Sequence, residues 1–347
     1  MVAVLPPSIV LVTGASGFIA AHLCKLLLEK GYKVRGTVRS EEKGQYLHSL
    51  LSSPNFTYLI VPDIEAAGAF DQAVQGVDAV QHTASPFHGR AVDPQELIGP
   101  AVQGTKGLLE SVQKFNPAIK RIVITSSVAS ILVPCKPGTT FTEQDWNTYS
   151  PGCVAREGIN APNMEKYRAS KVLAERAAWE FVQKENPGWD LVTVCPPMVF
   201  GPIIHQVNRV ESINTSIAAL HSAFTPSGAK TGAAAGSSAG SWVDVRDVAQ
   251  VHLEALAQEK AGGQRYIASG GPFSWQMVYD SAQSVNVPDG GGLDLEALNK
   301  GTPGSDRETK YNVFSSEKAQ RELGVSFRPL GECVRDTLVS LKGYGFH

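Results

Sequence analysis

Tyr167 and Lys171 stand four residues apart in the stretch Tyr167-Arg168-Ala169-Ser170-Lys171. The surrounding segment, 162–186, is rich in helix formers and has no internal Gly or Pro, so the composition predicts a helix. Positions i and i+4 share a helix face, which aims the phenol and the ammonium into one space. A phenol titrates near pH ~10, and a close cation favours the phenolate and lowers that value. Such a pair can hand a proton to a substrate oxygen and take it back. A core tyrosine beside a solvated lysine is the more ordinary use of this spacing, so the pair gains meaning only from the elements that position it.

Those elements start at the N-terminus. Residues 8–13 are apolar and β-branched, Gly14 follows at once, residues 18–30 read as a helix closed by Gly31, and residues 33–38 as a second strand. Strand, Gly loop, helix and strand make a right-handed βαβ unit. The alternation continues with strands at 56–61, 78–82, 121–126 and 190–195 and helices at 66–75, 94–115 and around Tyr167. This is the pattern of an α/β fold with a doubly wound parallel sheet of the Rossmann type. Residues 1–195 are expected to form the dinucleotide-binding part and 196–347 a smaller substrate lobe. Part of 242–268 is expected to return to the large sheet. In the smaller part, short strands are expected at 242–245 and 264–268, with helices at 245–258, 274–284 and 331–342. The Gly/Ala/Ser-rich segment 225–241 is the one low-complexity stretch, and its composition suits a loop that covers a pocket.

The bulk properties of the 347 residues narrow the function. A hydrophobic share of 43% and a charged share of 18% describe an ordinary globular chain, and a net charge of −2 gives no electrostatic footprint for nucleic acid or an acidic membrane. No run approaches the ~18 apolar residues of a membrane span, and the N-terminus has no secretory pattern. Cys24, Cys135, Cys153, Cys195 and Cys333 are scattered without metal-ligand spacing and read as reduced thiols of a cytoplasmic protein. No metal is expected.

Gly14-Ala15-Ser16-Gly17-Phe18-Ile19-Ala20 has the form G-x-x-G-x-x-A between a strand and a helix. Glycines there permit a tight turn and close approach of a pyrophosphate, which the helix N-terminus binds through free N–H groups. At the end of the second strand an NAD site places Asp or Glu for the ribose 2′-OH. Here Arg39 stands in that place with Lys43 one turn beyond, and two cations suit a 2′-phosphate. NADPH is therefore the expected cofactor, although Glu41 and Glu42 lie between the two cations. Asp63 and Ile64 after the third strand suit the adenine, and Thr83, Ala84 and Ser85 after the fourth leave room beside the cofactor. Ser127, past the C-terminal end of the strand at 121–126, lies where open α/β sheets bind ligands and can donate to a developing alkoxide.

With these pieces in order, the chain resembles the extended short-chain dehydrogenase/reductases. The matching residues are Thr13 to Ile19, His82-Thr83-Ala84-Ser85-Pro86, Thr125-Ser126-Ser127, the Tyr167/Lys171 pair and Val243 to Ala249. Gly36 to Ser40, Val61-Pro62-Asp63-Ile64 and Ala177 to Phe181 make it most similar to the fungal NADPH-dependent aldehyde, ketone and methylglyoxal reductases, relatives of the plant dihydroflavonol reductases. The resemblance implies that Tyr167 is the general acid, that Lys171 lowers its pKa and holds the nicotinamide ribose, and that Ser127 hydrogen-bonds the substrate oxygen. Two positions depart from the family pattern. Ala20 replaces a third glycine, and Lys106 stands where many members have an Asn, so an Asn-based proton relay is unsupported.

Pro196 and Val199 are expected at the cofactor, and Phe87, His88, Val128, Met164, Met198 and Trp242 around a mainly apolar substrate pocket. The expected partner is a small carbonyl compound, with the chain acting as a monomer or homodimer. Two other functions use the same fold. A nucleotide-sugar epimerase or dehydratase would bind NAD and favour an acid at position 39, and a non-catalytic NADP-binding sensor would lack the Tyr167/Lys171 pair.

Overall fold

Val10 and Val12 turn to one side of the first strand and Leu11 to the other, and all three are fully buried. Both faces of the sheet they belong to must therefore be covered. A computed structural model, which describes residues 3–85, 91–225, 239–284 and 299–346, shows how.

The chain begins with β1 (Ile9–Thr13), α1 (Phe18–Glu29), β2 (Lys33–Val38), α2 (Glu41–Leu51), β3 (Phe56–Ile60) and β4 (Ala79–His82). It continues through α3 (Gln95–Phe115), β5 (Arg121–Thr125), β6 (Thr140–Phe141), α4 (Tyr149–Glu157), α5 (Asn163–Glu185), β7 (Asp190–Cys195), β8 (Met198–Phe200) and α6 (Thr215–Phe224). The last part contains β9 (Ala239–Asp244), α7 (Val245–Ala257), β10 (Arg265–Ile267), β11 (Gly271–Ser274), α8 (Trp275–Ser284), β12 (Val313–Phe314), α9 (Glu317–Leu323) and α10 (Leu330–Gly343).

Seven strands form one parallel sheet in the order β10-β7-β5-β4-β1-β2-β3. The order reverses between β1 and β4, where Thr13 lies beside His82. One face packs with α1 and α7 through Leu23, Leu27 and Val251, the other with α3 and α5 through Leu108, Val112 and Ala178. This is the doubly wound architecture expected from the strand and helix pattern. The three-stranded sheet β11-β9-β8 belongs to the smaller part, whose core gathers Phe200, Phe273 and Trp275 with residues of α6, α8 and α10. β10 leaves that part and completes the large sheet beside β7.

Arg121, fully buried in β5, joins three elements. Its guanidinium pairs with Asp190 of β7 (2.5 and 2.9 Å) and donates to the carbonyls of Ala255 and Gln258 (2.8 and 2.6 Å). The Ala255 carbonyl, in the last turn of α7, thus finds a donor outside its helix.

One expected element is absent. Residues 66–75 form irregular turns instead of a helix, because Gly68 takes a left-handed φ of +72 and interrupts the run of helical angles. Conversely, α2 forms where no helix was expected. Ser40 accepts from the Lys43 N–H (3.4 Å) to cap it, and only Gly44 and Leu47 of the helix are buried, so apolar periodicity gives little signal. Of the segment expected to be a covering loop, residues 239–241 belong to β9 and 226–238 lie outside the described residues. Among the described residues, no helix is long and apolar enough to cross a membrane, and no His/Cys/Asp/Glu group could hold a metal ion.

Gly36 of β2 sits under the first loop. A β-carbon there would approach the Ala15 Cβ to 2.8 Å and the Phe56 ring to 3.3 Å. Gly36→Val should therefore lower the unfolding free energy by about 1–3 kcal/mol, the usual range for overpacking. A urea midpoint equal to wild type would show that the loop yields freely.

Candidate active site

The loop after β1 is held by β2. Gly14 N–H donates to Thr37 Oγ1 (3.0 Å) and Ala15 N–H to the Thr37 carbonyl (2.8 Å). Gly14 has φ +63, and a β-carbon on it would come within 3.1 Å of Ala84 Cα. Only glycine takes that conformation easily and leaves that space empty. Gly17 N–H closes the turn on the Gly14 carbonyl (2.9 Å), and α1 then begins with no side-chain cap and no acidic residue in its first turn. An uncapped helix start offers free N–H groups and the positive end of the helix dipole. The glycine cradle and the bare helix end thus fit a dinucleotide pyrophosphate.

Tyr167 and Lys171 lie one turn apart on α5, and with Ser127 they line one cavity of about 770 Å³. Ser127 caps a single 3₁₀ turn, Val128–Ser130, by accepting from Ala129 N–H (3.1 Å). Its hydroxyl lies 3.3 Å from the Pro196 carbonyl and is hydrogen-bonded to the Tyr167 side chain. Lys171 Nζ donates to Ser85 Oγ (2.9 Å), which joins α5 to the end of β4.

Burial pushes the Tyr167 phenol above its usual value, and the Ser127 hydrogen bond acts the other way. Loss of water around the ionised form thus dominates the phenol. Burial also lowers Lys171 to about 8, while the carboxylate of Glu175, one turn further along α5, raises it. At neutral pH the site holds a protonated phenol and a mostly charged ammonium.

Gly14, Gly17, Phe18, Ile19, Thr83 and Ser85 share the cavity wall with Ser127, Val128, Met164, Tyr167, Lys171, Pro196, Met198 and Val199. The phosphate loop and the Tyr167 pair, about 150 positions apart in sequence, therefore face one space. Ser16 and Ala84 flank the cradle without lining the cavity. Asp63 and Ile64 follow the edge strand β3, where Asp63 accepts from Glu65 N–H (2.8 Å) and Ile64 packs over Gly104 of α3. Phe87 and His88 lie outside the described residues.

Trp242 does not line the pocket. It is buried in the smaller core with Phe200 and Phe273, while its neighbour Ser241 lines the cavity, because side chains alternate between faces along a strand. Sequence reading also missed Leu132, Asn214 and Phe314, which join the wall from distant parts of the chain. Asn214 Oδ1 and Ser241 Oγ are buried without a hydrogen-bond partner among the described residues, so a polar group of a bound molecule finds capacity there. Lys106 lines a separate groove between α3 and α5 with Glu110, Phe181 and Lys184, which keeps it out of a proton relay to Tyr167.

Arg39 is exposed and Lys43 half-buried at the start of α2, and neither has an ion-pair partner among the described residues. The two neighbouring carboxylates are engaged elsewhere. Glu41 accepts from Tyr58 (2.6 Å) and Gln45 (3.1 Å), and Glu42 accepts from Gln206 (2.7 Å). Two cations without a direct ion-pair contact among the described residues are thus left beyond the end of β2.

Comparison with known proteins agrees with this geometry. Residues 10–268 match the NAD dependent epimerase/dehydratase family. Ketoreductase azaE of Aspergillus niger is 37% identical over 339 residues, covering 96% of this chain and 97% of that one. The NADPH-dependent methylglyoxal reductase GRE2 of Saccharomyces cerevisiae is 34% identical over 346 residues, covering 94% and 96%. The crystal structure of Gre2 from Candida albicans in complex with NADPH superposes with a TM-score of 0.84 at 35% identity, covering 97% and 99%. The chain belongs to the NAD dependent epimerase/dehydratase family, the extended short-chain dehydrogenase/reductases, in the branch of the fungal ketone and methylglyoxal reductases.

Proposed function

We infer that the chain is an NADPH-dependent reductase of aldehydes and ketones, including α-dicarbonyl and keto-ester compounds. The observation that carries this is the convergence of Ser127, Tyr167 and Lys171 on the cavity that begins at the Gly14–Gly17 cradle. When bound, NADPH supplies the hydride. Ser127 takes the substrate oxygen as a hydrogen-bond donor, and Tyr167 delivers the proton that turns the developing alkoxide into an alcohol. A raised phenol pKa keeps that proton in place until the alkoxide forms. Lys171, tied to Ser85, holds the nicotinamide ribose, and Arg39 with Lys43 takes the 2′-phosphate.

The charge of the walls supports reduction. Arg168, Lys171 and Lys310 line the cavity, and among the described residues no Asp or Glu does. Glu165 offsets the Arg168 charge at 2.6 Å, so Lys171 and Lys310 are the cations that meet negative charge growing on a carbonyl oxygen. An epimerase with tightly held NAD is disfavoured by Arg39, which stands where that chemistry places an acid, and a sensor is disfavoured by the intact Tyr167/Lys171 pair.

Tyr167→Phe should abolish nearly all NADPH oxidation with methylglyoxal, lowering kcat by at least about 10²-fold, while NADPH still quenches protein fluorescence. Full turnover by this variant would remove Tyr167 as the acid. Arg39→Asp should shift preference from NADPH toward NADH; an unchanged ratio of the two kcat/KM values would show that Arg39 does not read the phosphate. Lys171 is charged below about 8 and neutral above it, so with saturating NADPH the rate should fall as pH rises through that value. Tyr167, His82, Ser85 and Glu175 lie around it; burial keeps His82 neutral, and the phenol stays protonated over this range. A flat profile to pH 10 would show that the ammonium is dispensable.

A further inference from the structure

Glu175 is a buried carboxylate that the reaction above does not use. It lies two helical turns beyond Tyr167 on α5, roughly 12 Å along the axis, and is 2% exposed. Its Oε2 accepts from the hydroxyls of Ser126 and Ser130, each at 2.5 Å. Its Oε1 accepts from Thr193 Oγ1 and from Arg265 Nε, each at 2.8 Å. Arg265 compensates the charge and holds this carboxyl in its ionised form against burial. The guanidinium is itself fixed by the carbonyls of Glu143 (2.6 Å) and Asp145 (2.8 Å) and stacks 3.8 Å from the Trp146 ring centroid.

Ser126 and Ser130 flank Ser127. They bracket the 3₁₀ turn that Ser127 caps, and Ser130 N–H also donates to the Ser127 carbonyl (3.0 Å). A hydroxyl carries one hydrogen, and a charged carboxylate at 2.5 Å is a far stronger acceptor than a carbonyl or another hydroxyl. Both serines therefore commit their protons to one oxygen of Glu175, which pins the turn at both ends to α5. The same helix carries Tyr167.

We propose that Glu175 is a positioning residue: it fixes Ser127 relative to Tyr167 by clamping the two serines on either side of Ser127 to the helix that bears the acid. This role rests on the assignment of Ser127 and Tyr167 above. It also explains why two small hydroxyl residues and a paired carboxylate occupy a space that apolar side chains could fill at less electrostatic cost. Distances between substrate oxygen, Ser127 and Tyr167 then depend on one rigid element rather than on a loop, and misplacement of such a group by 1 Å can cost on the order of 10²-fold in rate.

The two oxygens of Glu175 make the test selective. Ser130→Ala removes a donor from the side that holds the Ser127 turn, and Thr193→Val removes one from the side that faces β7. At a temperature where both are folded by circular dichroism, Ser130→Ala should lower kcat for methylglyoxal about tenfold, with KM for NADPH within about twofold. Thr193→Val should lower the melting temperature and leave kcat within about twofold. In a Ser127→Ala background, Ser130→Ala should have no further effect on kcat, since it acts through the missing hydroxyl. Glu175→Gln should show the larger form of the same pattern; should it fail to fold with Arg265 unpaired, the two hydroxyl variants decide. Equal losses of kcat from Ser130→Ala and Thr193→Val, or additive losses in the Ser127→Ala background, would reduce Glu175 to a structural role. Unchanged kcat in Ser127→Ala alone would instead overturn the assignment of Ser127, and the positioning role with it.

Discussion

The carboxyl ends of β1 and β4 lie side by side, and the helices that follow them cover opposite faces of the sheet. A crevice must open past such a pair, and every part of the site depends on it. Its floor is held together by Thr13. The Thr13 hydroxyl accepts from the N–H groups of Thr83 and Ala84, both at 3.1 Å, and lies 2.8 Å from His82 Nδ1. Burial holds His82 down at about 3, so the ring is neutral. With both N–H groups pointing at the oxygen, its single hydrogen goes to Nδ1 and the imidazole proton rests on Nε2. The two strand ends are locked together without a charge, which leaves the crevice electrostatically free for an anionic ligand.

Local pattern was enough to read the parts whose geometry is set within a few residues. Gly14 and Gly17 needed only a preceding strand and a following helix, and the shared helix face of Tyr167 and Lys171 only a helical repeat, although their meaning needed the rest of the chain. The strand and helix alternation likewise settled the doubly wound sheet. Failures came where a residue's surroundings lie far away in sequence. Trp242 was expected at the pocket as part of a covering segment that begins in the low-complexity stretch before it, yet the register of β9 against β8 and β11 turns it into the core and turns Ser241 out. The helix expected at 66–75 was lost to a single glycine with positive φ. The upward displacement of the Tyr167 pKa depends on burial by residues from several elements, which spacing within one helix cannot report.

Buried charge decides how far the site can polarise a carbonyl. A cavity that must bind an electron-rich cofactor and stabilise an alkoxide is best lined by cations, yet the helix that carries Tyr167 also carries Glu165 and Glu175. Both are turned away from the cavity and neutralised at short range. Glu165 accepts from Arg168 (2.6 Å) and Ser150 (2.5 Å), and Glu175 is held by Arg265 (2.8 Å) and three hydroxyls. Opposite charges this close cancel most of their field beyond a few ångströms, while Lys171 has, among the described residues, only the Ser85 hydroxyl as its hydrogen-bond partner and keeps its field. Its depressed pKa follows from the same arrangement, since an ammonium left without a contacting carboxylate in a buried place resists its proton more than a paired one does. The readiness of Lys171 to discharge near pH 8 and the electrophilic character of the cavity are thus two consequences of keeping the carboxylates behind the wall.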